Sequence, residues 1–178
     1  MGKRTAMSKT DHMQRTIDLA REKMLEGSGY WPFGCYIVKA DDVVGEGCND
    51  MGFSHDPTGH GEIIAIRDAC KRLGSMDLSG CEMYTSCEPC SLCASAIWLT
   101  QIDKVYYAAA IEDCLLTGSD FAPLRHDVGK PINERSTPCE HLLAKEGRDL
   151  IAEWAGILEN DPVMRKLLGG QASSRTIR

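Results

Sequence analysis

Two short pieces about thirty residues apart constrain this chain more than its composition does. His60-Gly61-Glu62 heads an apolar run, Ile63-Ile64-Ala65-Ile66, and Pro89-Cys90-Ser91-Leu92-Cys93 runs into Ala94-Ser95-Ala96-Ile97-Trp98. One imidazole and two thiolates at Cys-x-x-Cys spacing form a donor set of the kind Zn2+ prefers. A structural zinc site closes with four protein ligands, whereas a catalytic one keeps three and leaves a corner to water. Glu62, two residues beyond the histidine, sets a carboxylate beside that corner. Any fold of this chain must therefore bring the two pieces together. Each sits where a loop enters a helix, and helix N-termini favour thiolate over thiol through their partial positive charge and free N–H groups. A histidine that merely opens a helix is the alternative for His60, and it leaves Cys90 and Cys93 unexplained.

The hydrophobic pattern supplies the frame. Met13, Ile17, Ala20 and Met24 recur at helical spacing from Asp11 onward, with Thr10 or Asp11 as cap and Gly27-Ser28-Gly29 as the stop. Residues 35–39 and 43–49 read as two strands joined at Asp41-Asp42, and 50–59 as a loop delivering His60 to its helix. A third strand is predicted over 81–85, a helix from Cys90 to about Thr100, and a fourth strand over 104–109. A C-terminal helix is predicted from about Pro138 to Leu158. Strands alternating with helices after an opening hairpin predict an α/β fold, a three-layer α/β/α arrangement around a mixed sheet. Residues 1–10 and 169–178 read as disordered ends, which leaves one domain over 11–168.

Charge and cysteine usage narrow the function. A net charge of -6 argues against a nucleic-acid partner, since docking on phosphates calls for a basic patch. No apolar run approaches the roughly 20 residues of a membrane span, and no signal segment opens the chain, so a cytoplasmic protein is expected. Nine cysteines are an odd count in a chain too large for a disulfide scaffold, and those outside the metal set are read as reduced. Cys87-Glu88-Pro89-Cys90 is also a Cys-x-x-Cys, whose redox reading needs a different setting.

His-x-Glu followed by Pro-Cys-x-x-Cys is the signature of zinc deaminases that act on bases. The chain resembles the cytidine and deoxycytidylate deaminase superfamily. Asn49, the run from Asp56 to Glu62, and Tyr84-Thr85-Ser86-Cys87-Glu88-Pro89-Cys90 make it most similar to the small bacterial guanine deaminases. The resemblance implies a sheet of five strands, one Zn2+ per chain on His60, Cys90 and Cys93, and Glu62 as the group that moves protons. It implies a small nucleobase-like substrate held by Asn49, for which a turn asparagine before Asp50 is the alternative, and a homodimer with C-terminal segments that can exchange. Phe33 and Trp98 are candidates for the pocket wall, or plain core, and Ser86 with Cys87 for backbone contacts to the substrate. Asp120 is the candidate acid for guanine's N–H edge, with Glu112 and Asp113 as rivals. His55 reads as a loop histidine, and His12, His126 and His141 have no ligand partner at recognisable spacing.

Three departures from that family stand out. Gly61 replaces the usual alanine, which is expected to loosen packing. Leu92 replaces a methionine of similar volume, and the tail beyond Pro138 is longer than those enzymes carry. Guanine to xanthine plus ammonia is the leading expectation. Another amino-substituted ring (a nucleoside, cytosine, a triazine or a pterin) is the second, adenosine in transfer RNA the third, and a zinc-stabilised scaffold the non-enzyme alternative.

Overall fold

Ser8 and Asp11 start the first helix. The Ser8 hydroxyl accepts the Asp11 N–H at 3.1 Å, and the Asp11 carboxylate accepts the Ser8 N–H at 3.0 Å. This reciprocal pairing satisfies donors that a helix start leaves orphaned, so α1 spans Lys9–Glu26, beginning two residues before Asp11. The computed structural model describes residues 7–164. The loose ends expected over 1–10 and 169–178 lie, apart from residues 7–10, outside the described residues. The chain divides into two compact units, Met1–Phe121 and Ala122–Arg178.

The first unit holds a mixed sheet of β1 Gly34–Lys39, β2 Asp42–Cys48, β3 Glu82–Cys87 and β4 Lys104–Ala109, in the order β2-β1-β3-β4. β1 runs antiparallel to both β2 and β3, and β3 runs parallel to β4. Ala40 and Asp41 make the hairpin, both with positive φ (48° and 69°), as a two-residue turn of matching twist demands. Between the strands lie α2 Met51–Ser54, α3 Gly61–Leu73 and α4 Ser91–Leu99.

Four strands form among the described residues where five were expected. After β4 the chain coils into a 3-10 helix, Ile111–Thr117, instead of extending. The Asp113 carboxylate accepts the Ala110 N–H at 2.9 Å and the Glu88 carboxylate accepts the Ile111 N–H at 3.3 Å. With those donors satisfied by side chains, the segment has less to gain from a further ladder.

Alternation sorts the sheet's side chains into two faces. Cys35, Ile37 and Met83 pack against Ala65, Ile66 and Ala69 of α3 and Ile97 of α4. Tyr36 and Tyr84 point the other way, where Arg15 lies over one ring at 5.3 Å and His12 meets the other at 5.1 Å. The helices α3 and α4 thus cover one face and α1 the other, the expected three layers. Complete burial of Ile37 and Met83 is worth roughly 2 kcal/mol apiece. On β2, Gly45 and Gly47 let the backbone of α3 rest directly on the strand; a Cβ at Gly47 would collide with the Gly61 carbonyl.

The second unit carries α5 Ala122–Val128, a 3-10 turn Ile132–Glu134 and α6 Ala144–Asn160. Asp127 ties its loop by accepting from the Ser136 N–H (2.9 Å), the Ser136 hydroxyl (2.8 Å) and the Lys130 ammonium (3.2 Å). The last helix starts later than Pro138, after Leu143 in a left-handed conformation, and presents Leu150, Ile151 and Ile157 exposed. All nine cysteines are free thiols. No helix among the described residues is long and apolar enough to cross a membrane.

Candidate active site

Sheet topology gathers the site at one edge. β3 and β4 end there, and β1 and β2, antiparallel to each other, begin and end there. Phe33, Asn49, Glu88 and Ile111 thus emerge together beside the ends of the parallel strands, where α/β sheets bind ligands. The two ligand pieces complete it, because His60 is the N-cap of α3 and Cys90 the N-cap of α4. Both helix starts point their partial positive charge at the same place.

The three donor atoms have the spacing a metal ion asks for. His60 Nδ1 lies 3.6 Å from the Cys90 sulfur and 3.4 Å from that of Cys93, and the sulfurs are 3.7 Å apart. Tetrahedral zinc with its usual bond lengths would hold its ligands about 3.6 Å apart for nitrogen and sulfur, and about 3.8 Å for two sulfurs. These three are the one group of that kind among the described residues. Two sulfurs so close cannot both ionise without a cation between them. Hydrogen bonding with Cys93, then with His60, pulls Cys90 down to about 4, and the neighbouring Cys90 sulfur together with burial pushes Cys93 far up. His60 is raised in turn by its hydrogen bond to Cys90. The residues fit a dication, which would stabilise both sulfurs as thiolates.

Glu62 stands in the first turn of α3, 6% exposed, and burial holds its carboxyl above the usual glutamate range. It lines a cavity of about 310 Å³ together with His60, Cys90, Asn49, Phe33 and Asp120. Asn49 is 2% exposed, and its orientation is set by the Met51 N–H, which its side-chain oxygen accepts at 3.2 Å. Its amide nitrogen meets the Met51 sulfur at 3.4 Å, a weak acceptor that leaves donor capacity for a ligand.

Two sequence candidates stay out of the cavity lining. Ser86 accepts the Gly34 N–H at 3.0 Å and donates to the Pro32 carbonyl at 3.1 Å, so its hydroxyl pins β3 to the chain ahead of β1. Trp98 lies on the outer side of α4, 47% exposed, because it falls one helical position after the buried Ile97. Glu112 and Asp113, the rivals of Asp120, do not line the cavity either. Gly61 reverses its expectation: a Cβ there would run into the Phe33 carbonyl oxygen, so glycine tightens the approach of α3 to the cavity wall. Cys87 and Glu88, from the stretch ahead of Cys90, line the cavity too, and Trp31, Met51, Ile111, Cys114, Ser119 and Phe121 complete the lining without having been singled out. Of these six only Ser119 and Phe121, adjacent to Asp120, carried a signal in the sequence.

Known proteins are similar to this chain. Residues 7–109 match the cytidine and deoxycytidylate deaminase zinc-binding region. Guanine deaminase of Bacillus subtilis is 38% identical over 148 residues, 83% of this chain and 94% of its own. Its crystal structure superposes with a TM-score of 0.80 at 37% identity, covering 84% of this chain and 95% of that one. A tRNA-specific adenosine deaminase of Aquifex aeolicus is 38% identical over 93 residues, 52% of this chain and 62% of its own. A structure solved in complex with 8-azaguanine is similar at TM-score 0.62 and 25% identity, covering 67% of this chain and 68% of that one. Because the matched region runs through His60, Glu62, Cys90 and Cys93 alike, the chain belongs to the cytidine and deoxycytidylate deaminase family of zinc-dependent hydrolytic deaminases.

Proposed function

We propose that the protein deaminates a free nucleobase, converting guanine and water to xanthine and ammonia. The observation that carries this reading is the reach of its likeness to the Bacillus guanine deaminase. At 83% of the chain, that likeness extends past residue 109, where the zinc-binding region ends, into the segment carrying Asp120. A cavity of about 310 Å³ sits at the small end of the roughly 300–1,000 Å³ usual for ligand pockets, as suits a single fused ring.

His60, Cys90 and Cys93 would hold a zinc ion, whose Lewis acidity would make hydroxide available from water near neutral pH. Glu62 takes the proton that water gives up and delivers it to ring nitrogen N3 as oxygen adds at C2. The same carboxylate then collects the proton of the hydroxyl added at C2 and passes it to the exocyclic amine, so the C2 carbonyl forms, the C2–N bond breaks and ammonia leaves. Burial suits Glu62 to this work, because a carboxylate stripped of water binds a proton more tightly. Asn49 donates and accepts at the base's carbonyl and ring-nitrogen edge, and Asp120 pairs with its N–H edge. Phe33 and Trp31 offer apolar faces to the ring.

Ammonia release across guanine, adenine, cytosine, their nucleosides, a triazine and a pterin tests the assignment. Guanine should exceed every other compound by at least tenfold in kcat/KM, and a better substrate among the others would replace it. Several tRNA-specific adenosine deaminases match part of the chain, so inosine formation in transfer RNA is the second reading to assay. The net charge of -6 weighs against it. We place the enzyme in the cytoplasm and propose a homodimer, the exposed apolar residues of α6 being covered by a second copy.

A further inference from the structure

Cys87 closes β3 and Cys114 lies in the 3-10 helix Ile111–Thr117, yet their sulfurs are 3.7 Å apart. Both thiols are buried, both line the cavity, and neither belongs to the metal donors. We propose that Cys87 and Cys114 form a reversible disulfide when hydrogen peroxide enters the cavity, a redox modification site separate from the metal centre.

The two sulfurs differ in how freely they move. Cys87 is held by the parallel ladder, in register with Ala109. Cys114 belongs to a short helix kept by local bonds: its carbonyl accepts the Thr117 hydroxyl at 2.8 Å and the Ser119 N–H at 3.3 Å. A disulfide needs its sulfurs about 2.05 Å apart. Closing the gap therefore falls to the 3-10 helix, which pulls on Gly118 and Ser119 and through them on Asp120 and Phe121. Those last two residues line the cavity, so the bond changes how a substrate seats there.

The chemistry balances. One sulfur, as thiolate, attacks a peroxide oxygen; the O–O bond breaks, hydroxide leaves and takes up a proton as water, and a sulfenic acid remains. The second thiol's sulfur displaces the sulfenic hydroxyl as a second water, and the S–S bond forms. Two thiols are oxidised and one peroxide is reduced to two waters. Burial pushes the Cys87 thiol up to about 12, so the reaction is slow at neutral pH and quickens as pH rises. In a reducing compartment such a pair is open at rest and closes under oxidative load.

Peptide mapping of the zinc-loaded full chain tests this directly. Trypsin leaves Cys114 as the one cysteine of residues 105–125, whereas Cys87 shares residues 73–104 with Cys81, Cys90 and Cys93. After peroxide, a species joining the two peptides, with the bond at Cys87, should appear and vanish on dithiothreitol treatment. Metal content should remain at one zinc per chain while deaminase activity falls at least fivefold and then recovers. Cys114→Ser should show no cross-link and keep its own untreated rate at the same dose. Cys87→Ser provides the same comparison if the first variant is unstable. A bond between Cys90 and Cys93, zinc loss in step with inactivation, or equal sensitivity of Cys114→Ser would overturn the proposal. The cross-link is read without any substrate, so a wrong choice of base would not be mistaken for failure here.

Discussion

Single residues divide here into the three placed to hold a metal, the carboxylate proposed to move protons and those that only hold a wall in place. Glu62→Gln removes the proposed proton carrier and keeps the shape. It should lower kcat by about 10^2 to 10^4, the usual contribution of general acid–base catalysis, with metal content unchanged. Stability should hold or rise, since a buried ionisable group is replaced by a neutral one. Cys93→Ser should instead lower bound zinc well below one per chain, measured by elemental analysis, because oxygen is a poor match for the soft corner it replaces. Gly61→Ala is the sharpest test of the packing. Its Cβ meets the Phe33 carbonyl, so both melting temperature and kcat/KM should fall although alanine favours helix. The grouping of His60, Cys90 and Cys93, with Glu62 beside them in the cavity, was legible in the sequence because short covalent spacings mark it. Cys114 and Trp31 were not, because only tertiary folding carries them to the cavity, and no local pattern records that journey.

Elements tell a similar story one level up. The strands and longer helices followed from period, and most boundaries moved by the residue or two that capping decides, as Ser8 rather than Thr10 or Asp11 starts α1. The last helix moved further, from about Pro138 to Ala144, and the short helices α2 and α5 were not expected. The fifth strand, implied by resemblance and not by alternation, gave way to a coil whose first N–H groups bond to the side chains of Glu88 and Asp113. Ser8→Ala should destabilise the protein by about 1 kcal/mol in urea unfolding, the typical value of a lost N-cap. Asp11 adds a pH signature. Hydrogen bonds from Ser8 hold its folded-state carboxyl below the usual aspartate range, so its contribution is present above the unfolded value and disappears as pH falls through the folded one. The stability gap between wild type and Asp11→Asn should therefore shrink from pH 6 to pH 3.

At the scale of the molecule, the acidic charge and the small cavity are what the proposal of a compact neutral substrate rests on. The proposed dimer predicts a doubled mass by light scattering. Leu150→Glu with Ile157→Glu, at exposed positions of α6, should shift it toward the monomer. Layer architecture was readable from the alternation of strands and helices, whereas the division at Phe121 was not, since nothing in the composition changes there. The placement of the two ligand-bearing helices against the sheet has an evolutionary corollary. Reactive atoms hang from the deepest scaffold, while the opposite rim, residues 111–121, is tethered mostly by short-range bonds. Such a division lets selection, or an engineer, redraft the menu of heterocycles by editing that rim while leaving the hydrolytic machinery untouched.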